Sequence, residues 1–388
     1  MKFAFVIFKY FPFGGVQRDM LRIANDCLSA GHDVVIYTGA WRGDMPDSRI
    51  KVCILPSSGW LNHQRHQSLI NNMKKAIDDA PVDLVVGFNR MSGLDVYYAA
   101  DPCYVEKAHE QRSWFYRLTG RYRFFASCEK AVMSVSSHTQ ILLLTAREKL
   151  SFQKWYHTPD ARFNILPPSI PLALFENKNT SECRQRLRRE FNLPQEANVV
   201  LTVGSAFSRK GVDRVIDAMA SLPKEVLENT WLLAIGEYES NSNILGYCEA
   251  AGVAHRCIHA GGRKDIADLM MGTDLLAHPA RSELAGIVII EAMTAGLPVL
   301  VTDVCGYAAH VEKAGAGVVI SSPYEQKVMN AAFIEMLLSP DRALWKANGK
   351  RYTQQINDEN SKSAEADLII AYAQKKISAN TIVNEEVK

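Results

Sequence analysis

LLAHPARSELAGIVIIEAMTAGLPVLVTD, residues 275–303, contains three apolar runs of unequal length. The outer two, LLAHPA (275–280) and PVLVTD (298–303), are strand-sized. The middle one, IVIIEAMTAG, closes on Gly296 with Pro298 beyond, the punctuation of a helix end. A helix apolar on nearly every side between two strands apolar throughout reads as one βαβ step. Strands of that kind belong to a parallel sheet covered on both faces.

The alternation extends both ways. NVVLTVG (198–204), WLLAIG (231–236) and CIHAG (257–261) precede this stretch, and GVVIS (317–321) follows it. Upstream the pattern breaks at ILPPSIPLALFENKNTS, where three prolines and a polar run mark a linker. Before the linker it resumes as FAFVIF (3–8), DVVIYT (33–38), KVCIL (51–55), LVVGF (84–88), VYYAA (96–100) and ILLLT (141–145). A helix from Val16 to Ala30, stopped by Gly31, follows the first run, with Val16, Met20, Ile23, Ala24 and Cys27 on one stripe. The expected fold is α/β: two tandem, Rossmann-like, doubly wound domains over 1–168 and 169–350, a C-terminal helix over 351–376 and a polar tail over 377–388.

Composition agrees with a folded chain and narrows its partners. Of 388 residues, 47% are apolar and 22% charged, ordinary globular usage. Lys and Arg number 44 against 42 Asp and Glu, so no global field points to nucleic acid and any basic site is local. Eight scattered cysteines form no CxxC pair, and His255 and His259 lie in a strand-like run, so no metal site is expected. FAFVIF is too short for a signal peptide, and no apolar stretch reaches membrane-spanning length, which together give a cytoplasmic reading.

Chemistry in such folds lies in loops at the carboxyl ends of strands. In YFPFGGVQRD (10–19), Gly14 and Gly15 either make a tight turn or bring backbone close to an anion or sugar hydroxyl. The loop is not GxGxxG, and no acidic residue ends the second strand, which argues against a nicotinamide dinucleotide. In GSAFSRKGVDR (204–214), Arg209 and Lys210 stand just before a helix expected to open near Gly211. They make either a diphosphate site or a solvated pair. Glu283 and Glu291 are separated by seven residues, with the small Ala285 and Gly286 between them. A glutamate in so apolar a run is costly unless paired. Glu291 is therefore either a buried salt bridge or a carboxylate accepting hydrogen bonds from the hydroxyls of a ribose or hexose.

The E-x7-E element with AGIVIIEAMTAGLPV, and GS-x3-RKG upstream, resembles the retaining glycosyltransferases of family 4, which have the GT-B fold. FKYFPFGGVQRDMLRIA, VVGFNRMSGLDVYYAADPCYVEKA, YRLTGRYRFFA, NILPPSI, RKGVDR and VTDVCGYA resemble, more narrowly, the glucosyltransferases of the lipopolysaccharide core. The resemblance implies two domains facing a cleft, with the C-terminal helices returning to the N-terminal domain. It implies transfer of glucose from UDP-glucose to an inner-core heptose of heptosylated lipid A, with α configuration retained. By the same resemblance, Gly15 lies near the donor phosphates and sugar, Arg209 and Lys210 hold the diphosphate, and Arg263 borders the uracil pocket. Glu283 and the backbone of Ala285, Gly286, Ile287 and Val288 bind hexose and phosphate, and Glu291 binds ribose. Asp19 and Asp101 are candidates for acceptor or sugar contacts, and Glu283, Lys210, Arg209 and Asp101 for catalysis. One departure stands out: the residues after Ile170 lack the basic residue that relatives often place near the donor.

The leaving UDP gathers negative charge, which many transferases meet with a metal held by D-x-D. This sequence has no D-x-D, so no metal or other cofactor is expected, and Arg209, Lys210 and a helix dipole are left to do that electrostatic work. No nucleophile is evident, which favours an oxocarbenium-like displacement on the same face, with the leaving phosphate helping to deprotonate the acceptor.

CYVEKAHEQRSWFYRLTGRYRFFASCEKA (103–131) has an excess of three positive charges, interleaved with seven aromatic residues. Either a helical hairpin packs its aromatics inward, or Trp114, Arg117, Arg121 and Arg123 meet anionic inner-membrane lipids. The second reading makes the protein peripheral on the cytoplasmic face. The rival functions are the same fold with another donor, such as UDP-galactose or an N-acetylhexosamine nucleotide, and a non-catalytic membrane scaffold.

Overall fold

A computed structural model describes residues 1–12, 14–170, 172–237, 244–360 and 363–386, with side chains as far as residue 379. The chain divides into two units, one made of Met1–Pro167 with Ser361–Lys388 and the other of Pro168–Asn360.

The first unit runs β1 (Lys2–Ile7), α1 (Gly15–Ser29), β2 (Asp33–Thr38), β3 (Lys51–Ile54), α2 (Asn62–Asp79), β4 (Leu84–Gly87) and β5 (Val96–Ala99). It continues with α3 (Tyr104–Gln111), α4 (Gly120–Met133), β6 (Gln140–Leu143), α5 (Ala146–Tyr156) and β7 (Phe163–Ile165). Its seven strands pair in parallel in the order β3-β2-β1-β4-β5-β6-β7. Both faces are covered, as continuous apolar strands require. Phe3, Phe5 and Ile7 of β1 enter one core with Met20, Ile23, Ala24 and Cys27 of α1, while Ala4 and Val6 face Leu69, Ile70 and Met73 of α2.

The second unit contains α6 (Thr180–Glu190), β8 (Asn198–Val203), α7 (Phe207–Lys210), α8 (Val212–Ala220), α9 (Lys224–Leu227), β9 (Thr230–Ile235) and α10 (Ile244–Ala250). It goes on through β10 (Cys257–His259), α11 (Ile266–Gly272), β11 (Leu275–His278), α12 (Ile287–Ala295) and β12 (Val299–Thr302). It ends with α13 (Ala308–Ala314), β13 (Gly317–Ile320), α14 (Gln326–Leu338) and α15 (Arg342–Glu359). Six parallel strands take the order β10-β9-β8-β11-β12-β13. The last helix, α16 (Ala364–Glu386), belongs to the first unit. Its Ala366, Ile369 and Ala373 are buried beside α1, Glu365 pairs with Arg22 at 2.6 Å, and Lys376 reaches Asp95 at 2.8 Å.

Three expectations need correction. The linker reading begins at Ile165, yet Ile165 ends the edge strand β7, which is too short to show a period. The helix expected to open near Gly211 does so as α8, with Arg209 and Lys210 just before it; the short α7, which these two residues close, adds to that reading. The segment 351–376 is not one helix, since α15 carries residues 351–359 inside the second unit. Residues 377–386, expected as a tail, continue α16.

Candidate active site

An open parallel sheet binds ligands beyond its carboxyl edge, where the strand order reverses. In the second sheet that point lies between β8 and β11. The loops leaving these two strands are the ones that carry RKG and the first glutamate of E-x7-E. Gly211, with φ +76°, ends α7 against the β11 loop, and a Cβ there would run into the Pro279 carbonyl. The two loops are stitched together around that contact. The Arg281 N–H donates to Arg209 O at 2.8 Å, and its guanidinium pairs with Asp213 at 2.5 Å and bonds Ser208 O at 2.6 Å. Arg214 donates to Pro279 O at 3.0 Å.

This framework brings together residues that lie about seventy positions apart in sequence. The Glu283 carboxylate accepts from Lys210 Nζ and, at 3.0 Å, from Arg209 Nη1, and His278 Nε2 stands 3.8 Å from the same oxygen. Burial pushes this carboxyl up, but the His278 ring and the Lys210 ammonium outweigh burial and hold it at about 2. His278 is fully buried, and burial lowers its pKa, so its ring is neutral. Gly286, at φ +86°, caps α12 in the left-handed region with Glu283 close by. Ala285, Gly286, Ile287 and Val288 form the entry to α12, and Glu291 lies buried in its next turn.

Arg263 stands after β10 and is engaged by two carboxylates, Asp265 at 2.7 Å and Glu190 at 2.5 Å, which raise its pKa. In the first unit, Gly15 opens α1 after β1, and a Cβ on it would meet no atom of the described residues within 4 Å. Asp19, one turn on, accepts from Tyr98 Oη at 2.9 Å. Burial raises its pKa, while Tyr98, Arg22 and Arg18 pull the other way. Asp101 is exposed beyond β5. The loop that carries it is held from beneath by Arg90, which donates to Pro102 O at 2.5 Å and pairs with the fully buried Glu129 at 2.6 Å.

The basic, aromatic segment splits between its two readings. Phe124 is buried, and Tyr104, Phe125 and Tyr156 pack near it. Trp114 and Phe115 stack on each other at 3.7 Å, 55% and 61% exposed, in a short 3-10 turn between α3 and α4. Arg121 and Arg123 are exposed on α4, while Arg117 bonds His109 at 3.0 Å.

His278 and Arg281 were not singled out from sequence. His278 ends a strand five residues before Glu283, the position from which a side chain reaches a ligand loop, and that was the available signal. Among the described residues, no group of three or more His, Cys, Asp or Glu side chains is placed to hold a metal ion, and no helix is long and apolar enough to cross a membrane.

Two parallel α/β units, one carrying E-x7-E against an Arg-Lys turn, define a GT-B glycosyltransferase. The chain belongs to the glycosyl transferases group 1, whose family model matches residues 184–352. Among its relatives is the lipopolysaccharide glucosyltransferase WaaG of Escherichia coli (strain K12), 41% identical over 365 residues that span 93% of this chain and 97% of that protein. The crystal structure of WaaG, a glycosyltransferase involved in lipopolysaccharide biosynthesis, superposes with a TM-score of 0.88 at 40% identity, covering 95% of this chain and 99% of that one. Anabaena Alr3699/HepE in complex with UDP-glucose shares the fold, with a TM-score of 0.71 at 16% identity over 98% of this chain and 99% of that one.

Proposed function

We propose that this protein moves glucose from UDP-glucose to an inner-core heptose of lipopolysaccharide and retains the α configuration. The observation that carries the reading is the Arg209–Lys210–Glu283 cluster at the switch point of the second sheet, in a chain 41% identical to a lipopolysaccharide glucosyltransferase. That the same fold holds UDP-glucose in Alr3699/HepE supports the choice of donor.

In this reading the donor diphosphate lies against Arg209 and Lys210. As the bond from C1 to the β-phosphate oxygen breaks, its electron pair stays on UDP, and the two preorganised cations stabilise that charge. The acceptor hydroxyl forms its bond to C1 on the face UDP leaves, and its proton passes to the departing phosphate. With its pKa held at about 2, Glu283 is too weak a base to take a proton near neutrality. Its role is that of a fixed hydrogen-bond acceptor for hexose hydroxyls. Ala285 to Val288 offer backbone at the start of α12, Glu291 binds ribose, Arg263 borders the base, Gly15 leaves room for the donor, and Asp19 and Asp101 serve the acceptor side. Trp114, Arg121 and Arg123, with a smaller part for Arg117, attach the protein to anionic lipid on the cytoplasmic face of the inner membrane.

The test is a panel of labelled UDP-sugars with heptosylated lipid A, with and without EDTA, and determination of the product linkage. Expected are transfer from UDP-glucose, an α linkage and activity in EDTA. Preferred transfer from UDP-galactose or an N-acetylhexosamine nucleotide replaces the donor, and absence of transfer from every donor leaves the scaffold reading.

A further inference from the structure

The loop after β3 (residues 55–61) meets the first turns of α2 at the carboxyl edge of the first sheet, and there it encloses a shallow pocket of about 520 Å³. No Lys, Arg, Asp or Glu lines it, and His63 is the one titratable residue among those that do. Its walls carry the amides of Gln64, Gln67, Asn71 and Asn72, with Phe124 of α4 as the apolar side. Each amide is oriented by a bond at one end. Gln64 Oε1 accepts from the backbone N–H groups of Trp60 (3.1 Å) and Leu61 (3.0 Å). Asn72 Nδ2 donates to Pro56 O at 2.9 Å, and Gln67 Nε2 to Asn71 Oδ1 at 3.1 Å. The other ends are thereby sorted into two donors, Gln64 Nε2 and Asn71 Nδ2, and two acceptors, Gln67 Oε1 and Asn72 Oδ1. Ser58 and Ser68, whose hydroxyls lie 3.1 Å apart, can do either. Trp60, in the same loop, is 96% exposed.

An anion needs donors only, and a cation acceptors only. A set that offers both donors and acceptors, without a carboxylate, lysine or arginine, matches groups that both donate and accept, which is what ring hydroxyls do. The aromatic wall of Phe124 suits the C–H faces of the same rings. We propose that this pocket is a subsite for a neutral saccharide ring. Given the transferase reading on which this rests, the ring is an uncharged sugar unit of the acceptor glycan, held by the first unit.

The test uses the full-length protein and the double variant Gln67→Ala/Asn71→Ala, both positions being exposed on α2. Two neutral hydrogen bonds lost should raise the KM for the heptosylated acceptor about tenfold, with kcat and the affinity for UDP-glucose unchanged. Saturation-transfer NMR should show methyl α-mannoside on the wild type and not on the variant. An unchanged acceptor KM, or an equal rise in the KM of UDP-glucose, overturns the proposal, as does binding of inorganic phosphate in place of the mannoside. If wild type transfers no sugar at all, the transferase reading fails; loss of mannoside contact in the variant would still support the saccharide subsite by itself.

Discussion

Glu283 sits where two cations and a neutral imidazole fix its charge, so its removal takes away a hydrogen-bond acceptor and also frees Arg209 and Lys210 to move. Charge-assisted hydrogen bonds contribute about 1.5–3 kcal/mol, so Glu283→Ala should lower kcat/KM by roughly 10- to 150-fold. Steady-state kinetics on the folded variant check this, and an unchanged kcat/KM removes Glu283 from the site. Two glycines make opposite predictions. At Gly211 a side chain meets both the left-handed backbone and the Pro279 carbonyl, so Gly211→Ala should cost at least about 2 kcal/mol in urea unfolding. At Gly15 a Cβ meets nothing among the described residues, so Gly15→Ala should leave the urea midpoint in place and lower kcat/KM. A loss of stability at Gly15 would show that its smallness serves the fold and not a ligand.

At the scale of elements, α16 makes the sharpest case. Ile369 is fully buried among residues of α1 and the first sheet, and Ile369→Ala should cost about 2–5 kcal/mol. Denaturant titration checks it, and a cost under about 1 kcal/mol would mean that α16 is not part of that core. The α3–α4 segment makes another. Each Arg beside an anionic surface contributes about 1 kcal/mol, so Arg121→Gln/Arg123→Gln should weaken binding to anionic liposomes roughly 30-fold at low salt. Co-sedimentation that finds equal binding removes the segment as an electrostatic anchor.

These elements also show what the sequence could disclose. Most strands announce themselves as unbroken apolar runs, so twelve of the thirteen among the described residues were legible; β7, three residues at an edge just before Pro167, was not. The α16 stripe of Ala366, Ile369 and Ala373 has helical spacing, but the polar residues after it read as a tail, because local composition does not reveal that a helix continues. RKG and Glu283 were each visible as motifs. Their meeting depends on Gly211 touching Pro279 and on Arg281 bridging to Asp213, contacts between distant segments that no periodicity encodes.

Across the whole molecule, half-buried histidines tie stability to pH. His66 lies among Phe8, Phe124 and Phe125 with Lys9 and Arg121 near, and burial first, then those cations, lower its pKa to about 4. His310, against Tyr352 and near Lys313, is also lowered to about 4, again chiefly by burial. A histidine whose folded pKa lies below its unfolded one favours the folded state above pH 6.5. That stability is lost as pH falls towards 4, because the unfolded chain binds more protons there. Wild type should therefore lose stability between pH 6.5 and 4 more steeply than His66→Phe/His310→Phe, as measured by urea midpoints. Parallel slopes would mean that the histidines are not held neutral. A different consequence follows from the first unit being assembled from both ends of the chain. On the ribosome, α1 and the first sheet are made early, yet the helix that covers them is made only after the whole second unit. The stretch between takes on the order of 10–40 s to synthesise. During that interval a nascent chain carries an uncovered apolar strip, the kind of surface that chaperones bind, and a message truncated before residue 361 yields a product that never conceals it.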